Sequence, residues 1–157
     1  MHSSCKHSVG LDIVDVQAFT KQLEIPGSSF REVFTALELS DAREMAKREG
    51  DFARENIHLA GKWAAKEAFV KAWSNLLISL QPPIKQNLLV FSEIQVQKDI
   101  YQRAFIKLSG EVLEKFKSSL SISHGVSDIQ TVDISTSISH DGNYATAICS
   151  ILLVDAI

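Results

Sequence analysis

The sequence predicts an α+β fold, an antiparallel sheet packed against one long central helix, and three observations predict it. Residues 51–77 contain no proline and are rich in Ala, Lys and Glu, all strong helix formers. Within that run Ala60, Ala64, Ala68, Ala72 and Leu76 recur one turn apart with Trp63, Phe69 and Trp73 beside them, which makes a broad apolar face suited to a sheet. Beyond residue 87 the apolar period changes from helical to alternating, and Asp141-Gly142 separates two apolar segments as a hairpin turn does.

At 157 residues the chain has room for one core and not comfortably for two. The expected organisation is a mobile tail, 1–8, followed by a single domain, 9–157. A composition of 45% apolar and 22% charged residues is that of a soluble globular protein, with no apolar run of membrane-spanning length. The short polar start lacks the apolar segment of a secretory signal, so a cytoplasmic location is expected. A net charge of -3 without a basic cluster argues against nucleic acid as a partner. Cys5 and Cys149 stand far apart with no CxxC spacing, which gives neither a zinc site nor a disulfide framework.

Taken in order, 9–16 reads as a short apolar strand interrupted by Asp12, and 16–23 as a short helix. Pro26-Gly27 marks a loop. Thr35 followed by Glu38 is a capping box that opens a helix over 36–48, whose mixed charges form a solvated face and which Gly50 ends. Asp51 is the expected cap of the central helix. Pro82-Pro83 make 79–87 a loop, and 88–97 with 104–108 form a hairpin. A short amphipathic helix over 111–120 follows, then a serine-rich irregular connection, 118–130, and a last hairpin from 132–139 and 144–154.

Chemistry concentrates at three places. Glu67 and Lys71 stand at i and i+4, roughly 6 Å apart along the helix axis. They form either an ordinary surface ion pair or part of a site. Asp12 either turns outward by strand alternation or is held by a positive partner. His140 follows Ser139 at the end of the last hairpin, where a side chain reaches solvent or ligand. Two carboxylates from distant parts of the chain are what magnesium uses, completing its shell with water and phosphate oxygens, and a nearby lysine neutralises phosphate charge. That combination suits phosphoryl transfer. No GxxxxGK[ST] or GxGxxG occurs, which excludes the common nucleotide-binding loops.

Four segments resemble the holo-acyl-carrier-protein synthases. Gly10-Leu11-Asp12 looks like their opening GxD. Phe34-Thr35 with Glu38-Leu39 resembles their FTxxEL, and Lys62-Trp63-Ala64-Ala65-Lys66-Glu67-Ala68-Phe69-Val70-Lys71-Ala72 their [KR][WF]xxKEAxxKA. Ser137-Ile138-Ser139-His140 is similar to their final S[IL]SH. The resemblance runs in family order from about residue 9 to 152. It implies a magnesium-dependent phosphopantetheinyl transferase of small α+β subunits that assemble as trimers with interfacial sites. Such an enzyme moves the 4'-phosphopantetheine arm of coenzyme A onto a serine of apo acyl carrier protein, in support of fatty acid biosynthesis, and releases adenosine 3',5'-bisphosphate.

Carried onto this chain, the resemblance makes Asp12 and Glu67 the metal ligands and Asp12, Glu67 and Lys71 the catalytic set. Lys62, Lys71, Ser139 and His140 would hold the coenzyme. The base for the serine is either Glu67 or a metal-bound water. The chain departs from the family where Ser74-Asn75-Leu76-Leu77 and a longer loop replace a glycine-containing turn, and where Ala18 and Glu32 stand at usually basic positions. A docking surface for the acidic carrier would then come from Lys21, Arg31, Arg43 and Lys47. A silent protein that kept the fold, and a transferase acting on a carrier domain of a larger synthase, are the competing readings.

Overall fold

Two antiparallel sheets surround one helix in the computed structural model, which describes residues 6–126 and 131–154. The order is β1 (Lys6–Asp15), α1 (Val16–Leu23), α2 (Ala36–Arg48), α3 (Glu55–Leu76), β2 (Ile94–Lys98), β3 (Ala104–Leu108), α4 (Gly110–His124), β4 (Val132–Asp141) and β5 (Tyr144–Leu153). The larger sheet runs β1-β5-β4 and the smaller is the β2-β3 hairpin. No helix among the described residues is long and apolar enough to cross a membrane.

The helix α3 is the axis of the molecule. Its small-residue stripe, Ala60, Ala64, Ala68 and Ala72, is fully buried, and small side chains let β1 and β5 lie close against it. Contact is tightest at Gly10, where a Cβ would fall 2.0 Å from the Ala68 carbonyl oxygen and 2.5 Å from the Ala72 nitrogen. Next to it the Ser8 hydroxyl donates to the Ala72 carbonyl at 2.8 Å. The glycine of the GxD segment is therefore a packing requirement that fixes the height of Asp12 along α3. Replacing it (Gly10→Ala) pits backbone against backbone, so a loss of about 3 kcal/mol is expected in urea melts, at the upper end of overpacking costs. Gly27→Ala, at an open position with φ +75°, serves as the control and is expected to cost about 1 kcal/mol.

On the other side of α3, Phe69, Trp73 and Phe116 pack ring to ring with centroids 5.5–6.0 Å apart and hold α4. Trp63 sits between Phe30 and Phe91.

Several boundaries differ from the expectation, each for a visible reason. Of the stretch expected as a tail, 6–8 belong to β1, which begins at Lys6 and where the His7 ring and the Ser150 hydroxyl meet at 2.7 Å; 1–5 lie outside the described residues. Asp51 caps a 3-10 turn, Phe52–Arg54, which leads into α3 at Glu55. The strand expected over 88–97 is reduced to β2. Short 3-10 turns occupy Gln86–Leu88 and Phe91–Glu93, and the Phe91 and Ile94 carbonyls accept from the Lys66 ammonium.

The connection expected to be irregular from 118 is helical to His124. Ser119 and Ser123 donate back to the Phe116 and Ser119 carbonyls, the way serine is accommodated inside a helix. Gly125, at φ +68°, ends the helix, and 127–130 lie outside the described residues. At its start, the Glu93 carboxylate accepts from the Val112 amide at 2.8 Å and so caps α4. The capping box of Thr35 and Glu38 is present in full, and β4 and β5 meet with Asp141 opposite Tyr144, leaving Gly142-Asn143 as the turn.

Candidate active site

Strand alternation turns Asp12 toward α3, not outward, because its neighbours Leu11 and Ile13 occupy the opposite face at 60% and 64% exposure. There the Lys71 ammonium donates to the Asp12 carboxylate at 2.8 Å and to the Leu11 carbonyl at 3.0 Å. Asp12 is thus held by a positive partner. Glu67, one helical turn before Lys71, lies within electrostatic reach of Asp12. Burial first, and the Asp12 charge second, push its carboxyl above the ordinary range, while Lys71 pulls it back. Two carboxylates and an ammonium from β1 and α3 thus converge on one rim.

Beside that rim an apolar pocket of about 240 Å³ opens, lined by Glu67, Trp73, Leu77 and the loop through Pro82 and Pro83. The longer loop therefore forms a wall next to Glu67 where the family pattern has a glycine-containing turn.

Lys62 and His140 meet elsewhere. They line a cavity of about 520 Å³ between α3, β4 and the β2-β3 hairpin. Lys62 is almost completely buried and pairs with Asp41 at 2.7 Å. Thr136, Ile138 and His140, which share one face of β4 by strand alternation, line the cavity and Ser139 does not. Within one chain, then, the structure brings Asp12, Glu67 and Lys71 together, brings Lys62 and His140 together, and leaves Ser139 apart from both.

Sequence reasoning missed His58, Lys98 and Arg103, which complete the cavity wall. His58 stands four residues before Lys62, a helical spacing that carries the signal; the two hairpin residues have no such local mark. The expected docking cations are in part engaged, as Arg31 and Arg43 both reach Glu55, at 3.3 and 3.5 Å.

The helix that carries Glu67 is anchored by its neighbour Lys66. That ammonium is fully buried, pairs with Glu38 at 2.9 Å, and donates to the Phe91 and Ile94 carbonyls at 3.0 and 2.5 Å. Glu38 in turn accepts from the Thr35 and Val96 amides. With every direction filled, Lys66 has no donor left for a ligand.

Comparison with known proteins follows the same lines. The family model of the 4'-phosphopantetheinyl transferase superfamily matches residues 8–149. A holo-[acyl-carrier-protein] synthase of Corynebacterium glutamicum (strain R) is 42% identical over 142 residues, covering 90% of this chain and 95% of the relative. The solved ACPS-CoA complex of Chronobacterium ammoniagenes superposes with a TM-score of 0.80 at 40% identity, over 96% of this chain and 99% of that one. The acyl carrier protein synthase of Mycobacterium tuberculosis gives 0.64 at 28% identity, over 94% and 97%. With a family model spanning most of its length and relatives matched nearly end to end, the chain belongs to the 4'-phosphopantetheinyl transferase superfamily.

Proposed function

We propose that this protein transfers the 4'-phosphopantetheine arm of coenzyme A to a serine of apo acyl carrier protein, in the cytoplasm and in support of fatty acid biosynthesis. The observation that carries the reading is the convergence of Asp12, Glu67 and Lys71 on the rim of α3. The naming of the relatives as holo-[acyl-carrier-protein] synthases supports the same reaction.

The donor set fits a magnesium ion. Among the described residues no cluster of three or more His, Cys, Asp or Glu side chains gathers for a metal, and magnesium asks for less, taking one or two carboxylates and filling its shell with water and phosphate oxygens. Asp12 and Glu67 would hold it. When bound, it neutralises charge on the pyrophosphate of coenzyme A.

The chain's own groups do the rest. Lys71, on the same rim, turns from Asp12 to the phosphates and balances the charge that builds on the leaving group. Lys62 and His140 receive an anionic part of the coenzyme. The serine oxygen of the carrier forms a bond to the phosphorus next to the pantetheine arm as the bridging P–O bond breaks. The serine proton passes to a base, and the electron pair leaves on adenosine 3',5'-bisphosphate.

Apo acyl carrier protein incubated with this protein, coenzyme A and magnesium is expected to gain the mass of one phosphopantetheine arm in intact-mass spectra, with little gain when the metal is chelated. An unchanged carrier mass under all conditions would overturn the reading.

A homotrimer with interfacial sites is part of the proposal. The outer face of the β1-β5-β4 sheet exposes Val9, Leu11, Ile13, Tyr144 and Ile148, a contiguous apolar strip that a lone protomer would leave in water. Subunits packed there would bury this strip along the strand that carries Asp12, whose own side chain faces α3. Sedimentation is expected to give a trimer, and Ile13→Asp a smaller species with strongly reduced turnover; a wild-type monomer of full activity would refute the assembly.

A further inference from the structure

The cavity between α3 and β4 contains more than Lys62 and His140. From the cap at the C-terminus of α2 it receives Glu49, from β2 Lys98, from the turn between β2 and β3 Arg103, and from α3 itself His58. The His58 side chain is only 9% exposed. Its Nε2 lies 3.2 Å from the Glu49 carboxylate, and its ring meets that of His140 edge to face with centroids 5.8 Å apart. The same Glu49 oxygen also accepts from Arg54.

We propose that His58 couples anion binding in this cavity to proton uptake, through its hydrogen bond to Glu49 and its ring contact with His140. The inference rests on the reading that an anionic part of coenzyme A enters here. The cations already in the wall are engaged: Lys62 and Lys98 share Asp41, at 2.7 and 4.0 Å, and Arg103 is paired with Asp99 at 2.6 Å. A phosphate group therefore brings net negative charge into a wall whose positive charge is largely spoken for, and imidazole is the group that can supply more near neutral pH.

Of the two histidines, His140 is exposed and screened by water, whereas His58 is enclosed, where a neighbouring charge acts more strongly. Without ligand, burial above all, with Lys98 and the His140 ring adding to it, holds His58 below the ordinary histidine range against the pull of Glu49. An anion in the cavity opposes the first two influences and adds to the third. Arg54, on the far side of Glu49, keeps that carboxylate charged and aimed so that the imidazolium has an acceptor on arrival. His58 is on this account a positioning and charge-balancing residue, one step behind the ligand.

The test is calorimetric binding of coenzyme A to the intact protein with magnesium from pH 6.5 to 8, in buffers of different ionisation heat, so that proton uptake is read directly. Wild-type affinity is expected to fall about tenfold across that range, the factor that a pKa displaced upward by about two units produces over this span. In His58→Phe, which keeps a ring against His140 and removes the titrating site, the fall is expected to shrink to about threefold or less, with the proton uptake reduced to match. The second ionisation of the ligand's own phosphate monoester, with a pKa of about 6, contributes equally to both proteins and cancels in the comparison. Should His58→Phe disturb folding, His58→Gln takes its place, and its profile is expected to flatten in the same way. A variant that binds with the wild-type pH profile and uptake would overturn the role of His58, and a profile abolished only by His140→Asn would assign it to the other ring. Wild-type protein that binds no coenzyme A at any pH would instead overturn the coenzyme reading itself.

Discussion

Glu67→Gln is expected to lose at least about 100-fold in turnover while melting no lower than the wild type. The size follows from the metal reading: replacing even an outer partner of a metal ligand typically costs 10–100-fold, and an amide is a poor direct ligand for a hard cation. The stability side follows from the charge geometry. Burial and Asp12 raise the Glu67 carboxyl above its ordinary value, so its folded form binds a proton more readily than its unfolded form. The stability linked to this group is complete below the unfolded value and is lost as pH rises through the folded one. At neutral pH the carboxylate therefore costs folding, and the amide removes that cost. Added magnesium is expected to raise the melting temperature of the wild type by binding the folded state, and to do so much less in Glu67→Gln. Near-normal turnover at ordinary magnesium levels would sink the assignment of Glu67 to the metal.

Glu67 was legible in the sequence because its signals are local. Helical spacing linked it to Lys71, and an aspartate inside an apolar strand marked Asp12 as costly unless paired. The same locality made α1, α2 and the last hairpin readable, since Thr35-x-x-Glu38 and Asp141-Gly142 declare a cap and a turn within a few residues. What stayed hidden depends on contacts across long stretches of chain. Nothing near residue 91 announces that its carbonyl serves the Lys66 ammonium, so 88–97 reads as a strand where the chain makes two turns and a short strand. The buried pairing of Glu38 with Lys66, 28 residues apart, has no periodic mark, and both residues carry charges that composition assigns to the surface. His58, Lys98 and Arg103 come from α3 and the small hairpin and meet only when β2 and β3 fold over α3. Serine-rich composition misled in the opposite direction, because the serines of α4 bond within their own helix.

Glu38→Gln, identical in chemical change and aimed at the partner of the lysine beside Glu67, is expected to produce the opposite result: about 3–5 kcal/mol less stability at pH 7, the usual cost of leaving one member of a buried ion pair without its partner. The substituted side chain keeps one oxygen, enough for the Val96 or the Thr35 amide but not both, so the loss combines one displaced amide with the uncompensated charge on Lys66, whose side chain is 0% exposed, and the pH dependence singles out the charge. Burial already holds the Lys66 ammonium below the ordinary lysine range, with Glu38 pulling it up; without Glu38 it falls further. The sign of the pH dependence follows. With the folded value depressed, the unfolded chain binds the proton more strongly, so stability rises with pH and is lost as pH falls through the folded value. The deficit of Glu38→Gln in urea melts is therefore expected to narrow between pH 7 and 9.5, as the unpaired lysine sheds its proton in the folded state. A small, pH-independent loss would mean that water reaches Lys66 and that the pair is not sealed. The contrast with Glu67→Gln separates two carboxylates on either side of one lysine: Glu38 spends its charge on holding α2, α3 and β2 together, and Glu67 keeps its charge free for the ligand.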